Sequence, residues 1–258
     1  MIVAVLGIGE AGGRLARDLI AAGIVVRGWD PDPPAVPEGV DFAANNPAAA
    51  SGADIVLSVN WALVAVEVAA EVAPMLKAGQ LYADLNTVSP QNKRDAAVII
   101  ERTGALFVDA AVMAPILPKG LGTPVYASGR GAALFAEKMS PLGMPVTVLD
   151  GGAGSAATHK LVRSIMYKGV AAVVMECLEA GEALHMGEYA RAQMMTILGD
   201  ESLIERFVAG SKKHAGRRIH EMEAVVEMLE SAGVSAFTSR AALEKLKEIN
   251  RLGLQTPV

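Results

Sequence analysis

The stretch GIGEAG, at residues 7–12, constrains this chain more than any other. It follows "IVAVL", a β-branched apolar run with no alternation, the pattern of a strand buried on both faces of a parallel sheet. A helical stretch from about Ala11 to Ala22 opens on it and ends at Gly23, as a C-cap glycine would. A second apolar strand, "IVVRGWD", follows at 24–30. Gly7, Gly9 and Gly12 therefore fill G-x-G-x-x-G between a strand and a helix, and Asp30 lies 18 residues beyond Gly12. That spacing suits a carboxylate that reaches an adenosine ribose. Gly7 permits the tight turn, Gly9 lets a pyrophosphate approach the backbone, and Gly12 lets helix pack on strand. Ile8, Glu10 and Ala11 complete the turn, and the uncapped N–H groups of the helix face the phosphates. The fragment "GWDPDP" sets Asp30 and Asp32 where a 2′-phosphate would sit, and two carboxylates repel it. The expected cofactor is NAD, with NADP possible.

Strands and helices alternate through the first half. "ADIVLSV" (53–59), "GQLYADL" (79–85) and "GALFVDAAV" (104–112) read as strands, with helices near 61–73 and 90–102. Ser89-Pro90 starts the latter as N-cap and first helical residue. "TPVYASG" and "MPVTVLD" read as two late strands around a helix near 131–139. This alternation predicts an α/β fold, a Rossmann-type doubly wound parallel sheet. After "DGGAGS" the pattern becomes wholly helical, over about 155–186, 189–198, 201–209, 213–232 and 237–249. The expected domains are 1–154, which binds dinucleotide, and an all-helical 155–258 built on one long helix.

Ligands of open α/β sheets bind at the C-terminal ends of strands. Ser58, Val59 and Asn60 lie at one such end, and Asn86 and Thr87 at the next. Asn86 reads either as a contact to the nicotinamide side or as turn chemistry. Ser89 reads as a cap. Further on, Lys160, Arg163, Ser164 and Tyr167 share one side of the long helix, upstream of the apolar "GVAAVVMECL". A lysine at such a border is either a solvated helix-start cation or a partly desolvated group suited to proton transfer.

Composition narrows the remaining classes. The 258 residues are 52% hydrophobic with a formal net charge of −5, and no basic block is dense enough for nucleic acid. Cys177 is the only cysteine, so no intrachain disulfide forms, and it reads as core. No His/Asp/Glu set has metal-ligand spacing, and His159 reads as structural. No signal peptide or membrane span is read, so a soluble cytoplasmic protein is expected. The apolar helices near 165–184 predict a homodimer or higher homo-oligomer.

The arrangement resembles the β-hydroxyacid dehydrogenase family, which includes 6-phosphogluconate and 3-hydroxyisobutyrate dehydrogenases. The family pattern G-x-G-x-x-x-K-x-x-x-N aligns with "GSAATHKLVRS". Gly154 and Lys160 match it, Ala156 replaces the second glycine, and Ser164 replaces the asparagine. The resemblance implies that Lys160 is the general acid/base and that the position of Ser164 orients the substrate hydroxyl. The family loop D-x-P-V-S-G-G aligns with "DAAVMAP". Asp109 and Val112 match, while Met113, Ala114 and Pro115 give a less polar substrate pocket. "HAGRRIHEMEAVVEML" is similar to a divergent branch with a 6-phosphogluconate-dehydrogenase-like C-terminal domain of unassigned function. The resemblance implies that Arg217 or Arg218 supplies positive charge toward cofactor and substrate, the other reading being two exposed helical arginines. The resemblance implies an NAD(P)-dependent oxidoreductase acting on a small hydroxy acid or related alcohol or carbonyl. An imine reductase on the same architecture and a non-catalytic dinucleotide sensor are the alternatives.

Overall fold

A computed structural model describes residues 1–254. Two compact units divide at Lys160 and Leu161, six residues into the long helix.

The first unit holds one eight-stranded sheet in the order β3-β2-β1-β4-β5-β6-β7-β8. The strands are β1 (Ile2–Leu6), β2 (Val25–Trp29), β3 (Val40–Phe42), β4 (Ile55–Ser58), β5 (Leu81–Asp84), β6 (Leu106–Val112), β7 (Val125–Ser128) and β8 (Val146–Val148). Around them run α1 (Glu10–Ala21), α2 (Asn46–Ala50), α3 (Ala65–Val72), α4 (Pro90–Glu101), α5 (Ile116–Lys119), α6 (Ala132–Met139) and the start of α7 (Ser155–Ala183). Successive residues of a strand face opposite ways. Val3, Val5, Leu57, Ala83 and Val108 enter one core, and Ala4, Leu6, Val56, Tyr82 and Phe107 enter the other. Both faces are covered, which is why the strand sequences do not alternate.

Three features depart from the sequence reading. The edge strand β3 and the short α2 follow a proline-rich segment and are too brief to leave a periodic signal. Asn45 caps α2, its side chain accepting from Ala48 N at 2.8 Å. The helix expected from 61 begins as a 3-10 turn at Ala62–Val64, and α3 proper starts at Ala65. Finally, β7 runs antiparallel to β6, with β8 parallel to β7, so the sheet is mostly rather than wholly parallel.

The second unit comprises α7 from Leu161, α8 (Gly187–Leu198), α9 (Glu201–Lys213), α10 (Ala215–Ser231) and α11 (Phe237–Leu254). Among the described residues it contains no strand. One core joins Leu161 and Met175 to Met222, Val225 and Leu246, and another joins Val174 to Met194, Ile204 and Phe207. Gly199 is left-handed (φ 69°) and closes α8, and Asp200 then caps α9 through Ser202 N. Cys177 packs partly buried against the second core. No helix among the described residues is long and apolar enough to cross a membrane.

Candidate active site

The glycine turn is built from three distinct constraints. Gly7 has φ 97°, and a Cβ there would lie 2.5 Å from the Val59 carbonyl oxygen. A Cβ on Gly12 would lie 1.8 Å from the Gly7 carbonyl oxygen. A Cβ on Gly9 would meet nothing within 4 Å. The fold itself requires Gly7 and Gly12, whereas the space above Gly9 is open. Gly9 is also the N-cap of α1 and offers no side-chain cap, so the first-turn N–H groups are left to an outside acceptor. The Ile8 side chain is fully buried in the core against Gly28, which leaves only its backbone at the turn. Glu10 is exposed and Ala11 half-buried.

Asp30 follows β2, and its Oδ1 accepts from Asp32 N at 3.0 Å, an Asx turn that fixes the carboxylate. Arg27 is occupied elsewhere. It donates to Ser51 O at 2.5 Å and pairs with Asp41 at 3.5 Å.

A buried polar row crosses the sheet at its C-terminal edge. Register sets Ser58, Asp84, Asp109 and Ser128 side by side on β4, β5, β6 and β7, each at most 1% exposed. Ser58 Oγ accepts from Asn60 Nδ2 at 2.9 Å and Asn86 Nδ2 at 3.0 Å. Asp84 Oδ1 accepts from both the backbone N and Nδ2 of Asn86, at 2.9 and 2.7 Å. Asn86 is thus held by its donors, and its Oδ1 is buried without a hydrogen-bond partner. Lys93 of α4 lies beneath the row at 1% exposure. Its ammonium donates to Asp84 O at 2.7 Å and sits 3.2 Å from Asp84 Oδ2 and 3.6 Å from Asp109 Oδ1. Burial, and after it the charge of Asp84, pushes the Tyr82 phenol well above its ordinary value, so it stays neutral.

The row also receives the N-terminus of α7. Asp109 Oδ2 accepts from Gly154 N and Ala157 N, each at 3.0 Å, and from Ser128 Oγ at 3.2 Å. Ser128 Oγ in turn accepts from Ala156 N at 3.0 Å. Gly154 has φ 98°, and a Cβ there would lie 2.9 Å from Pro90 O. One turn on, Lys160 Nζ donates to Thr87 Oγ1 at 2.6 Å. His159 is exposed, its Nδ1 2.8 Å from Ser155 O. At the end of β6, the Met113 N–H is taken by Pro124 O at 2.9 Å, and both Met113 and Ala114 are half-buried.

The remaining expected residues lie in the helical unit. Ser164 is 3% exposed and donates to Glu221 Oε1. Lys168 Nζ donates to the same oxygen at 2.7 Å and to Ser164 Oγ at 3.2 Å. Burial lowers the Lys168 ammonium below its ordinary range, against the pull of Glu221. Tyr167 packs edge-on to Phe207 at 4.9 Å, with Lys168 and Arg218 5.4 and 5.6 Å from its ring centre. Arg218 is 9% exposed and donates to Ser211 Oγ at 2.9 Å, whereas Arg163 and Arg217 are exposed. The two arginines read together in the sequence therefore differ: Arg218 belongs to the interior of this cluster and Arg217 to the surface.

Sequence reasoning passed over Lys93, Asp84 and Lys168. The signal for the first two was a lysine and an aspartate inside otherwise apolar faces. For Lys168 it was a charge four residues after Ser164 on the same helix. Among the described residues, no three His, Cys, Asp or Glu side chains cluster to hold a metal.

The family model for the NAD binding domain of 6-phosphogluconate dehydrogenase matches residues 2–134. The chain belongs to the β-hydroxyacid dehydrogenase family. A second model, a domain of unknown function (DUF1932), matches residues 192–249. A probable 3-hydroxyisobutyrate dehydrogenase of Mycobacterium tuberculosis is 25% identical over 205 residues, covering 75% of this chain and 68% of its own. A conserved protein of unknown function, whose structure is similar to 3-hydroxyacid dehydrogenases, is 30% identical. The match covers 98% of this chain and 99% of that one, with TM-score 0.74. The M. tuberculosis 3-hydroxyisobutyrate dehydrogenase solved with L-serine shares the fold at 19% identity and TM-score 0.80, over 97% and 94% of the two chains.

Family membership makes NAD(P) the cofactor and the chain an NAD(P)-dependent oxidoreductase. The residues fit that group. Open space above Gly9 and an uncapped helix start suit a pyrophosphate, and the orphaned Asn86 Oδ1 suits an amide donor.

Proposed function

We propose that this family member interconverts a small hydroxy acid, or a related alcohol, and its carbonyl, with Lys160 as general acid/base. The observation that carries the reading is the Lys160–Thr87 hydrogen bond, which holds the ammonium at the C-terminal end of β5, beside Asn86. When bound, the nicotinamide supplies or accepts the hydride. Lys160, neutral, takes the hydroxyl proton during oxidation and, protonated, returns one during reduction. Gly7 to Gly12, Asp30, Val59, Asn60, Asn86 and Thr87 hold and orient the cofactor, with Ser58 fixing the two asparagines. NAD is favoured over NADP, because Asp30 and Asp32 repel a 2′-phosphate and Arg27 is engaged by Ser51 and Asp41.

Met113, Ala114, Arg163, Ser164, Tyr167, Arg217 and Arg218 are proposed to meet the substrate. Ser164 takes the role that the family gives to asparagine, with its hydroxyl oriented by Glu221 and Lys168. The protein acts as a homodimer or higher homo-oligomer, because α7 leaves Val162, Met166 and Val173 exposed along its length.

The test is a panel of hydroxy acids, alcohols, aldehydes and imines, followed through NADH and NADPH absorbance, for wild type and Lys160→Ala. Turnover lost in the variant, with NADH still bound, supports the reading. Undiminished turnover refutes it. NADH binding by wild type without turnover of any panel member also refutes it and favours a sensor.

A further inference from the structure

We infer that Lys93, which lies outside the cofactor and substrate contacts, is a positioning residue: one buried ammonium between Asp84 and Asp109 sets both the Asn86–Thr87 turn and the start of α7, and so places Thr87 and Lys160 against each other. The inference rests on the proposed role of Lys160.

The geometry assigns each partner a separate task. Asp84 Oδ1 is used up by Asn86, through its backbone N and its Nδ2, so Asp84 is the post on which the Asn86–Thr87 turn stands. Asp109 Oδ2 is used up by Gly154 N, Ala157 N and Ser128 Oγ, so Asp109 is the post on which α7 stands. The other oxygen of each carboxylate makes no hydrogen bond and faces Lys93, at 3.2 and 3.6 Å. All three side chains are at most 1% exposed. Two carboxylates on neighbouring strands, removed from water, repel each other unless a cation lies between them. Lys93 Nζ also donates to the Asp84 carbonyl at 2.7 Å, which anchors the ammonium at the row. The helix start contributes the second positive element, through its N–H groups on Asp109. Without Lys93, the two posts are held apart by charge, and the Thr87–Lys160 bond, 73 residues apart in sequence, loses the common support beneath both its ends.

The test uses the full chain with Lys93→Met, which keeps side-chain length and removes the charge. Three measurements are made: NADH affinity by fluorescence, amide hydrogen exchange by segment, and the pH dependence of Lys160 labelling by an amine reagent, read by mass spectrometry. The expected result is NADH binding that is weakened through the Asn86–Thr87 turn but kept within about tenfold of wild type, because the glycine turn and Asp30 stand apart from Lys93. Exchange at 153–158 and 85–88 should rise at least about tenfold, while β1 and α1 stay protected. The Lys160 labelling profile should shift along the pH axis. A structural lysine would loosen the whole sheet and leave that profile in place, which overturns the inference. So does unchanged exchange at 153–158. If Lys93→Met does not fold, Lys93→Met/Asp84→Asn leaves one carboxylate and no repulsion, so folding should return with exchange at 153–158 nearer to wild type, and a double variant that still does not fold overturns the inference. Lys160→Ala is assayed beside these variants. If it retains turnover, the general acid/base reading fails, while the exchange result still judges the role of Lys93 in holding α7.

Discussion

Thr87 Oγ1 accepts the Lys160 ammonium at 2.6 Å, joining the end of β5 to the first turns of α7. Thr87→Val keeps the shape and removes the acceptor. Turnover should fall about tenfold, with a smaller fall in NADH affinity because the glycine turn and Asp30 stay in place, and Thr87→Ser should restore most of both. Steady-state kinetics on any substrate found by the panel decide this, and a Thr87→Val enzyme as fast as wild type removes Thr87 from the site.

Gly9 and Gly12 should respond in opposite ways. Gly9→Val places its side chain in open space, so the thermal midpoint should stay near that of wild type, while NADH affinity falls at least about tenfold. Gly12→Ala drives a Cβ to 1.8 Å from a backbone oxygen, and stability should fall by about 3 kcal/mol or more. Thermal melts paired with NADH titration separate the two. A Gly9→Val protein that binds NADH normally would show that the open space is not the pyrophosphate's.

Asp30→Ala removes the carboxylate that the Asx turn with Asp32 holds in place. The KM for NAD should rise well above its wild-type value, and that for NADP should rise less or fall. Parallel increases for both would show that Asp30 does not read the ribose.

Lys168 gives stability a pH dependence. Its folded-state pKa lies below the ordinary 10.5. Between the lowered value and 10.5 the unfolded chain binds a proton that the folded chain has lost, so this group's contribution to stability rises with pH across that window. Denaturant unfolding at intervals up to about pH 10 should show a smaller rise for Lys168→Met than for wild type. Equal slopes would place the Lys168 ammonium within its usual range.

Met166 is 71% exposed, between Val162 and Val173 on the surface of α7. A glutamate there puts a charge into the proposed dimer face. Light scattering should then report a monomer mass for Met166→Glu and at least about twice that mass for wild type. A wild-type monomer ends the assembly proposal, and an unchanged variant moves the face elsewhere.

Most of the fold was legible because burial on both faces leaves an unalternated strand, and five such runs could be read through 112. The antiparallel turn of β7 was not legible, since strand direction depends on how the connection crosses the sheet. The glycine turn was legible for the same reason that it is rigid. Two of its three glycines are demanded by backbone contacts, and the third stands in open space. Lys93 was hidden by register. Nothing local says that Asp84 and Asp109 stand opposite each other until the strands are paired. Ile8 and Ser58 show the reverse case, residues expected at the ligand edge whose side chains are fully buried.

The row Ser58–Asp84–Asp109–Ser128 makes strand length a chemical quantity. A single residue inserted within β6 before Asp109 would turn that carboxylate to the opposite face of the sheet. The helix that carries Lys160 would then lose its seat, although the lysine, its helix and every loop stayed the same in sequence. The distance between the Asn86–Thr87 turn and the start of α7 is thus counted in residues of the central strands.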